Sequence, residues 1–372
     1  MAERWDVIVT GLGAMGSAAA RELARRGLRV LGLDRYAPPH VHGSTHSRTR
    51  IIREAYFEHP AYVPLVQRAG ELWSELERDV DERLHVRTGG LMIGPERGTL
   101  VSGARTSAEQ HGLPYELLTV DEIRRRFPAL VPADKAVALH ETRAGVLFPE
   151  ACVRALLSCA VRAGADLRTN EPMLSWRIES GVVRVATAIG ENVADRLVLA
   201  LGPWLPEFLN DAQIPLTVER QMQHWFSPRA NAERFTPEHL PIALWEADRL
   251  FYTLPDFGDG IKIAIHHNGE ITNPHHVRRT INADEDASAR ALVDRFLPDA
   301  SGELRDRAVC LYTNTPDGHF LIDSHPAHPE VLIVSACSGH GFKFASAIGE
   351  MVAQWCLGEP REDLELFKYR WQ

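Results

Sequence analysis

Asp6-Val7-Ile8-Val9-Thr10-Gly11-Leu12-Gly13-Ala14-Met15-Gly16, continued by Ser17 to Arg26 and then by Val30-Leu31-Gly32-Leu33-Asp34, is the stretch that decides the fold. The apolar run before Gly11 predicts a buried strand. The Ala-rich segment ending in Arg25-Arg26-Gly27 predicts a helix, and Val30 to Leu33 a second strand. Strand, glycine turn, helix and strand in that order make a βαβ unit that binds a dinucleotide. Gly11 allows the tight turn, Gly13 lets backbone approach a pyrophosphate, and Gly16 lets helix and strand pack closely. The helix N-terminus offers unpaired N–H groups and a positive dipole end to the phosphates. Asp34, at the end of the second strand, is placed to accept hydrogen bonds from a ribose. The motif alone leaves open which dinucleotide is bound.

Working outward, Pro38-Pro39 predicts an extended segment after Asp34. It leads to a polar loop, Gly43 to Arg53, in which His46, Arg48, Arg50 and Arg53 crowd together. A helix is expected from about Pro60 to Val80, with Leu65, Ala69, Leu72 and Leu76 on one face. Short strands and helices follow, among them a strand at Leu91-Met92-Ile93 and a helix capped near Thr119. A helix over Glu150–Gly164 and a strand over Arg196–Ala200 return to the pattern of the N-terminal unit, the strand ending at a strand-to-helix turn, Leu201 to Trp204. Strands are expected at Gln223–Phe226, Leu250–Leu254 and Ile261–Ile265, with a helix over Asp284–Phe296. The strand Val331–Ser335, the loop Cys337–Gly341 and a helix from Lys343 to Leu357 close the chain. The fold class expected is therefore α/β: a Rossmann-like nucleotide domain, discontinuous in sequence, beside an α+β substrate domain built on a mainly antiparallel sheet. The expected boundaries are 1–85, 146–213 and 309–372 for the first domain, and 86–145 and 214–308 for the second.

Composition narrows the function classes. The chain has 372 residues, 45% hydrophobic and 24% charged, and a formal charge of −9, which argues against nucleic acid or an anionic membrane as partner. Its five cysteines (Cys152, Cys159, Cys310, Cys337 and Cys356) show no CxxC spacing. Neither a disulfide framework nor a metal site is expected, and a reducing, cytoplasmic setting is. Met1 to Trp5 run straight into the first strand, and Lys368 to Gln372 carry no targeting signal, so no leader is expected.

Four constellations carry possible chemistry, each with a plainer alternative. The loop His46–Arg53 fits a solvated basic loop, or an anion site beside the cofactor, where arginine forks suit a carboxylate. Ser338-Gly339-His340-Gly341-Phe342-Lys343 fits an ordinary strand-to-helix turn, or a terminus able to polarise a ring carbonyl. Cys310, in the apolar run Ala308 to Thr313, fits a small core residue. Lys262 and His266 share one face of a strand, which fits the solvent face of an edge strand.

Taken together the segments resemble the monomeric sarcosine oxidase family, which also includes N-methyl-tryptophan oxidase and pipecolate oxidase. The matching stretches are DVIVTGLGAMG (6–16), PPHVHGSTHSRTRIIREAY (38–56), YVPLVQRAGELW (62–73), AVCLYTNTPDGHFLID (308–323) and SGHGFKFASAIGE (338–350). The resemblance implies FAD, attached covalently through a thioether to Cys310. It implies a substrate carboxylate held by Arg53 and Lys343, basic residues His46 and Arg50 at the flavin face, and an oxygen-activating Lys262. Tyr252, His266 and Tyr312 then surround the substrate amine, while Ser44, Thr49, Gly339, Gly341 and Lys343 complete the cofactor contacts. The reaction implied is oxidation of the secondary amine of an N-methyl or cyclic amino acid by oxygen, giving an imine that hydrolyses to amine and aldehyde, with hydrogen peroxide. The partners implied are a small amine and O2, with the chain a monomer. A flavin dehydrogenase of the same fold, passing electrons to another acceptor, is the alternative. A pyridine-nucleotide dehydrogenase has only the first βαβ unit in its favour. The chain departs from the family pattern at His46-Ser47-Arg48, where His-Gly-Asp is usual, which adds a positive charge. It departs again at Glu219 to Trp225 and at Leu244-Trp245-Glu246, which puts the substrate side chain in doubt.

Overall fold

A computed structural model of the chain describes residues 4–209, 212–359 and 362–371. Both ends on which the targeting expectation rests, Met1–Glu3 and Gln372, lie outside the described residues. The expected βαβ unit is formed by strand Arg4–Thr10, helix Ala14–Arg25 and strand Val30–Leu33. Gly11 takes a φ of +82° at the turn, a conformation open to glycine at no steric cost. A Cβ on Gly16 would sit 1.7 Å from the Gly11 carbonyl oxygen, so the first helical turn lies directly against the loop.

Arg4–Thr10 is flanked in parallel by Glu191–Leu199 on one side and Val30–Leu33 on the other; Asp166–Arg168 follows Val30–Leu33. His328–Ser335 joins the far edge of Glu191–Leu199, also in parallel, and brings the C-terminal segment beside the N-terminal turn. Antiparallel strands Ser175–Glu179, Val182–Ala186 and Leu321–His325 complete this eight-stranded sheet. Three helices, Ala14–Arg25, Pro149–Arg162 and Ala345–Cys356, share one apolar core with its central strands.

The second sheet also has eight strands, in the order Leu304–Asn314, Thr217–Phe226, Ile261–Ile265, Leu250–Leu254, Ile242–Glu246, Gly90–Pro95, Ala136–Glu141 and Glu116–Leu118. All pair antiparallel except Ile242–Glu246 with Gly90–Pro95. A nucleotide domain interrupted by a mainly antiparallel sheet is thus the architecture observed.

Several local expectations change. Arg50–Ile52 is a strand rather than loop; it pairs with Gly145–Leu147, which also pairs with His85–Arg87. The β-branched pair Ile51-Ile52 suits that extended backbone. Leu304–Asn314 pairs along its length with Thr217–Phe226, so the second sheet continues past residue 309 and includes Cys310. The turn at Leu201 runs on as a 3-10 helix, Gly202–Phe208, with prolines at 203 and 206. Lys343 belongs to a short 3-10 turn, Phe342–Phe344, and the α-helix starts only at Ala345.

Substituting Gly16 by alanine is expected to cost about 1–3 kcal/mol or more, because the methyl must displace backbone rather than a side chain. A thermal melt of the variant checks this; a midpoint equal to that of the parent would contradict the packing described.

Candidate active site

One cleft runs from the glycine turn to the C-terminal loop. It is lined at one end by Gly11, Gly13, Asp34, Pro38 and Trp204, and at the other by Arg50, Arg53, Tyr252, His266, Cys310, Tyr312, Gly339 and Lys343. Of the residues singled out in the sequence, Ser44, Thr49 and Gly341 line it too.

The glycine end is built for a dinucleotide. Helix Ala14–Arg25 has no side-chain cap at Gly13, and a Cβ added at Gly13 would meet only the Thr45 hydroxyl, at 3.6 Å. The Asp34 carboxylate is held by the N–H groups of Leu12 (2.6 Å) and Tyr36 (2.8 Å), one on each oxygen. Each oxygen keeps a lone pair, so the acid is fixed and still able to accept from a ribose.

The other end is organised by cations, of which Arg53 and Lys343 are buried and Arg50 half-buried. Arg50 donates to the Ser44 and Thr49 carbonyls, both at 2.9 Å, and places a guanidinium nitrogen 3.4 Å from Cys310 Sγ. Cys310 is 1% exposed. Cys310 is buried, as a core residue would be, but it also lines the cleft and has an arginine against its sulfur.

Arg53 is buried under the rings of Tyr56 and Phe57 and forms a two-pronged pair with Glu58, at 2.7 and 2.6 Å. Glu58 was not foreseen; five residues along an irregular segment, it has no periodic relation to Arg53 that sequence could reveal. Burial opposes its charge, yet Arg53, His340 and Lys343 hold the carboxyl down to about 2. Lys343 donates to the His340 carbonyl (2.6 Å) and the Tyr56 hydroxyl (3.3 Å). Burial, with Arg53 adding repulsion, pushes its ammonium down to about 7, partly offset by Glu58.

Around this pole the other ionisable groups are neutral. Burial takes His266 down to about 3, and its Nδ1 lies 3.3 Å from the Tyr312 hydroxyl. Burial raises Tyr252 to about 12. Gly339 makes room for these rings, since a Cβ there would lie 2.5 Å from His266 and 2.6 Å from Tyr312.

Two expected cations are placed otherwise. His46 is 5% exposed, and burial followed by repulsion from Arg50 takes it down to about 3, so it is a neutral imidazole. Its Nδ1 meets the Ser47 hydroxyl at 2.8 Å. Lys262 lies not at an edge but inside the second sheet, 1% exposed. Its ammonium donates to the Ser47 and Thr49 carbonyls (2.8 and 3.0 Å) and to the Thr49 hydroxyl (3.3 Å). The extra positive charge at Arg48 is met by Asp306 and, at 3.8 Å, by Asp259.

Residues 6–355 match the family model described as FAD dependent oxidoreductase. The chain belongs to the FAD-dependent oxidoreductases. It is 43% identical to the monomeric sarcosine oxidase of Streptomyces avermitilis, over 100% of this chain and 98% of that one. It is 34% identical to the N-methyl-L-tryptophan oxidase of Yersinia pestis, over 96% of each. Among solved structures, the L-proline dehydrogenase of P. horikoshii shares the fold, with a TM-score of 0.86 at 22% identity, covering 97% of this chain and 96% of that one. An FAD-dependent amine oxidoreductase of the sarcosine oxidase group therefore accounts for the cleft, and the dinucleotide is FAD.

The Glu58 ion pairs give a pH signature. A carboxyl held at about 2 against an ordinary 4.5 adds stability above pH 4.5 and loses it as pH falls toward 2. Glu58→Gln is expected to melt below the parent at pH 7, with the gap closing between pH 4.5 and 2; a gap independent of pH would refute the pairing.

Proposed function

We propose that this FAD enzyme oxidises the secondary amine of an N-methyl or cyclic amino acid, with oxygen as acceptor. The observation that carries the reading is the continuity of one cleft from the dinucleotide turn to a pole holding Arg53, Lys343, Cys310 and the Tyr252–His266–Tyr312 group. The names of the sarcosine and N-methyl-L-tryptophan oxidases support the substrate class. FAD, when bound, supplies the acceptor for the two electrons and one hydrogen leaving the carbon next to nitrogen.

The chain's own residues would do the rest. Arg53 and Lys343 hold the substrate carboxylate, with Glu58 giving way or turning aside to admit it, and so orient the reacting carbon. Cations beside the amine disfavour its ammonium form, so it reacts neutral without a dedicated strong base. Neutral His266, Tyr252 and Tyr312 offer hydrogen bonds without adding charge. Lys262 is the cation that steadies negative charge as oxygen takes electrons. Cys310, in contact with Arg50, is the attachment point for the flavin. Imine hydrolysis then yields amine and aldehyde, alongside hydrogen peroxide.

We also read residues 1–85, 146–213 and 309–372 as the FAD-binding part and the remainder as the substrate part, with the strand of Cys310 shared between them. A monomer is proposed from the name of the Streptomyces avermitilis relative. A cytoplasmic setting is proposed because all five cysteines are free.

Oxygen uptake over a panel of sarcosine, bulkier N-methyl amino acids and cyclic imino acids tests the reaction; no uptake with peroxide formation on any of them would overturn it. Acid precipitation is expected to leave yellow colour in the pellet, and Cys310→Ala to release it to the supernatant. At pH 8 a Lys343 held near 7 is mostly neutral, and a bound carboxylate favours its charge. A non-oxidisable carboxylic acid analogue should therefore bind with proton uptake, seen as buffer-dependent calorimetric heat and lost in Lys343→Met.

A further inference from the structure

We propose that Arg48 is a positioning residue, which holds a strained turn whose carbonyl oxygens cage the ammonium of Lys262. The proposal rests on the reading of Lys262 as the cation that serves oxygen. Ser47 and Arg48 take φ values of 82° and 68°, and neither is glycine. The Thr49 N–H donates to the Ser47 carbonyl at 2.7 Å, which closes a three-residue turn with Arg48 at its centre. A turn of this kind with positive central φ is rare and strained in L-residues, and persists only where its surroundings hold it.

The turn faces Lys262. By bending back at Arg48 it aims the carbonyls on either side of that residue, those of Ser47 and Thr49, at one ammonium, at 2.8 and 3.0 Å. The Thr49 hydroxyl, at 3.3 Å, takes the third donor. An ammonium so enclosed is costly unless each proton is met by oxygen, and burial works against its charge. An extended backbone through Arg48 would set these two carbonyls on one side but about 6.6–6.8 Å apart, too far for one ammonium to meet both at 2.8 and 3.0 Å.

The Arg48 side chain holds the turn in place. Its guanidinium pairs with Asp306 and Asp259 and lies over the Trp225 ring at 4.8 Å; the backbone N–H of Arg48, which no substitution here removes, donates to the Glu150 carboxylate at 3.0 Å. Trp225 is the register partner of Lys262 on the neighbouring strand, and the lysine Nζ lies 5.1 Å from the same ring. Anchor and lysine are thus tied to the same strands. Arg48 sits outside the cation's contacts and acts on it through backbone.

The decisive comparison is Arg48→Ala against Arg48→Gly. Alanine keeps the penalty at positive φ and lacks the anchor; glycine lacks the anchor and removes the penalty. With FAD-loaded enzyme in anaerobic stopped-flow, Arg48→Ala is expected to slow reoxidation about tenfold or more while flavin reduction stays within about twofold. Arg48→Gly should reoxidise within about threefold of the parent. Crystal structures should show the contact of Lys262 with the Ser47 carbonyl kept in the glycine variant and lost in the alanine variant. Asp306→Asn, a change at an exposed pair, should resemble alanine in both readouts and remains available if Arg48→Ala does not fold. Equal behaviour of alanine and glycine, or an alanine variant with contact and reoxidation unchanged, would overturn the proposal. If Lys262→Met itself reoxidises normally, the oxygen role of Lys262 fails instead, and the crystallographic contacts still judge Arg48.

Discussion

The site depends on the docking of one polar loop against the face of the second sheet. Arg50 grips the Ser44 carbonyl and Cys310 Sγ, and Lys262 reaches from its strand to the Ser47 and Thr49 carbonyls. Lys262 is out of solvent and Arg50 half-buried, and a buried charge is tolerable only when oxygen or an opposite charge meets its protons. Backbone carbonyls of the loop meet that need. The loop, which follows the Asp34 strand of the nucleotide sheet, is thereby tied to strands of the other sheet, and the cleft is the space left between them.

A second constraint is charge balance at the carboxylate pole. Arg53 and Lys343 are both buried, with Glu58 as the neighbouring anion. The arginine keeps its proton and takes the carboxylate; the lysine, repelled and desolvated, sits near 7. Glu141 braces the arrangement, its carboxylate accepting from the N–H groups of Glu54 and Ala55 next to Arg53. The pole therefore holds two cationic side chains against one carboxylate, which is what the proposed carboxylate site requires.

Strand alternation explains which departures from the family pattern reach the cleft. Along Thr217–Phe226 successive side chains point to opposite faces. Gln223 lines the cleft, whereas Arg220, on the alternate set, is fully buried against Glu285 and the carbonyls of Arg278 and Thr280. In Leu244-Trp245-Glu246 only Leu244 lines the cleft. Trp245 packs on Phe251, and Glu246 caps the helix Thr99–His111 by accepting from the N–H groups of Thr99 and Leu100. Gln223 and Leu244 are thus the departures that line the cleft.

The sequence by itself determined the βαβ unit, most strand and helix positions, the interleaved layout and many of the residues that line the cleft, although His46 and Lys262 are not among the lining residues. Those rest on local periodicity, on glycines with one steric solution, and on motif order, all of which are short-range. It also allowed Cys310 to be taken for a core residue and Lys262 for an edge lysine, because a strand's partners lie far away in sequence. Only the tertiary structure decided that Ile261–Ile265 is an interior strand, that Arg50 touches the sulfur of Cys310, and that Glu58 already occupies Arg53. It decided too that His46 is neutral and that the charge of Arg48 is turned toward Asp306 rather than the cleft. Burial and pairing set the charge state of such groups, and both are sums over neighbours that only the folded chain brings together.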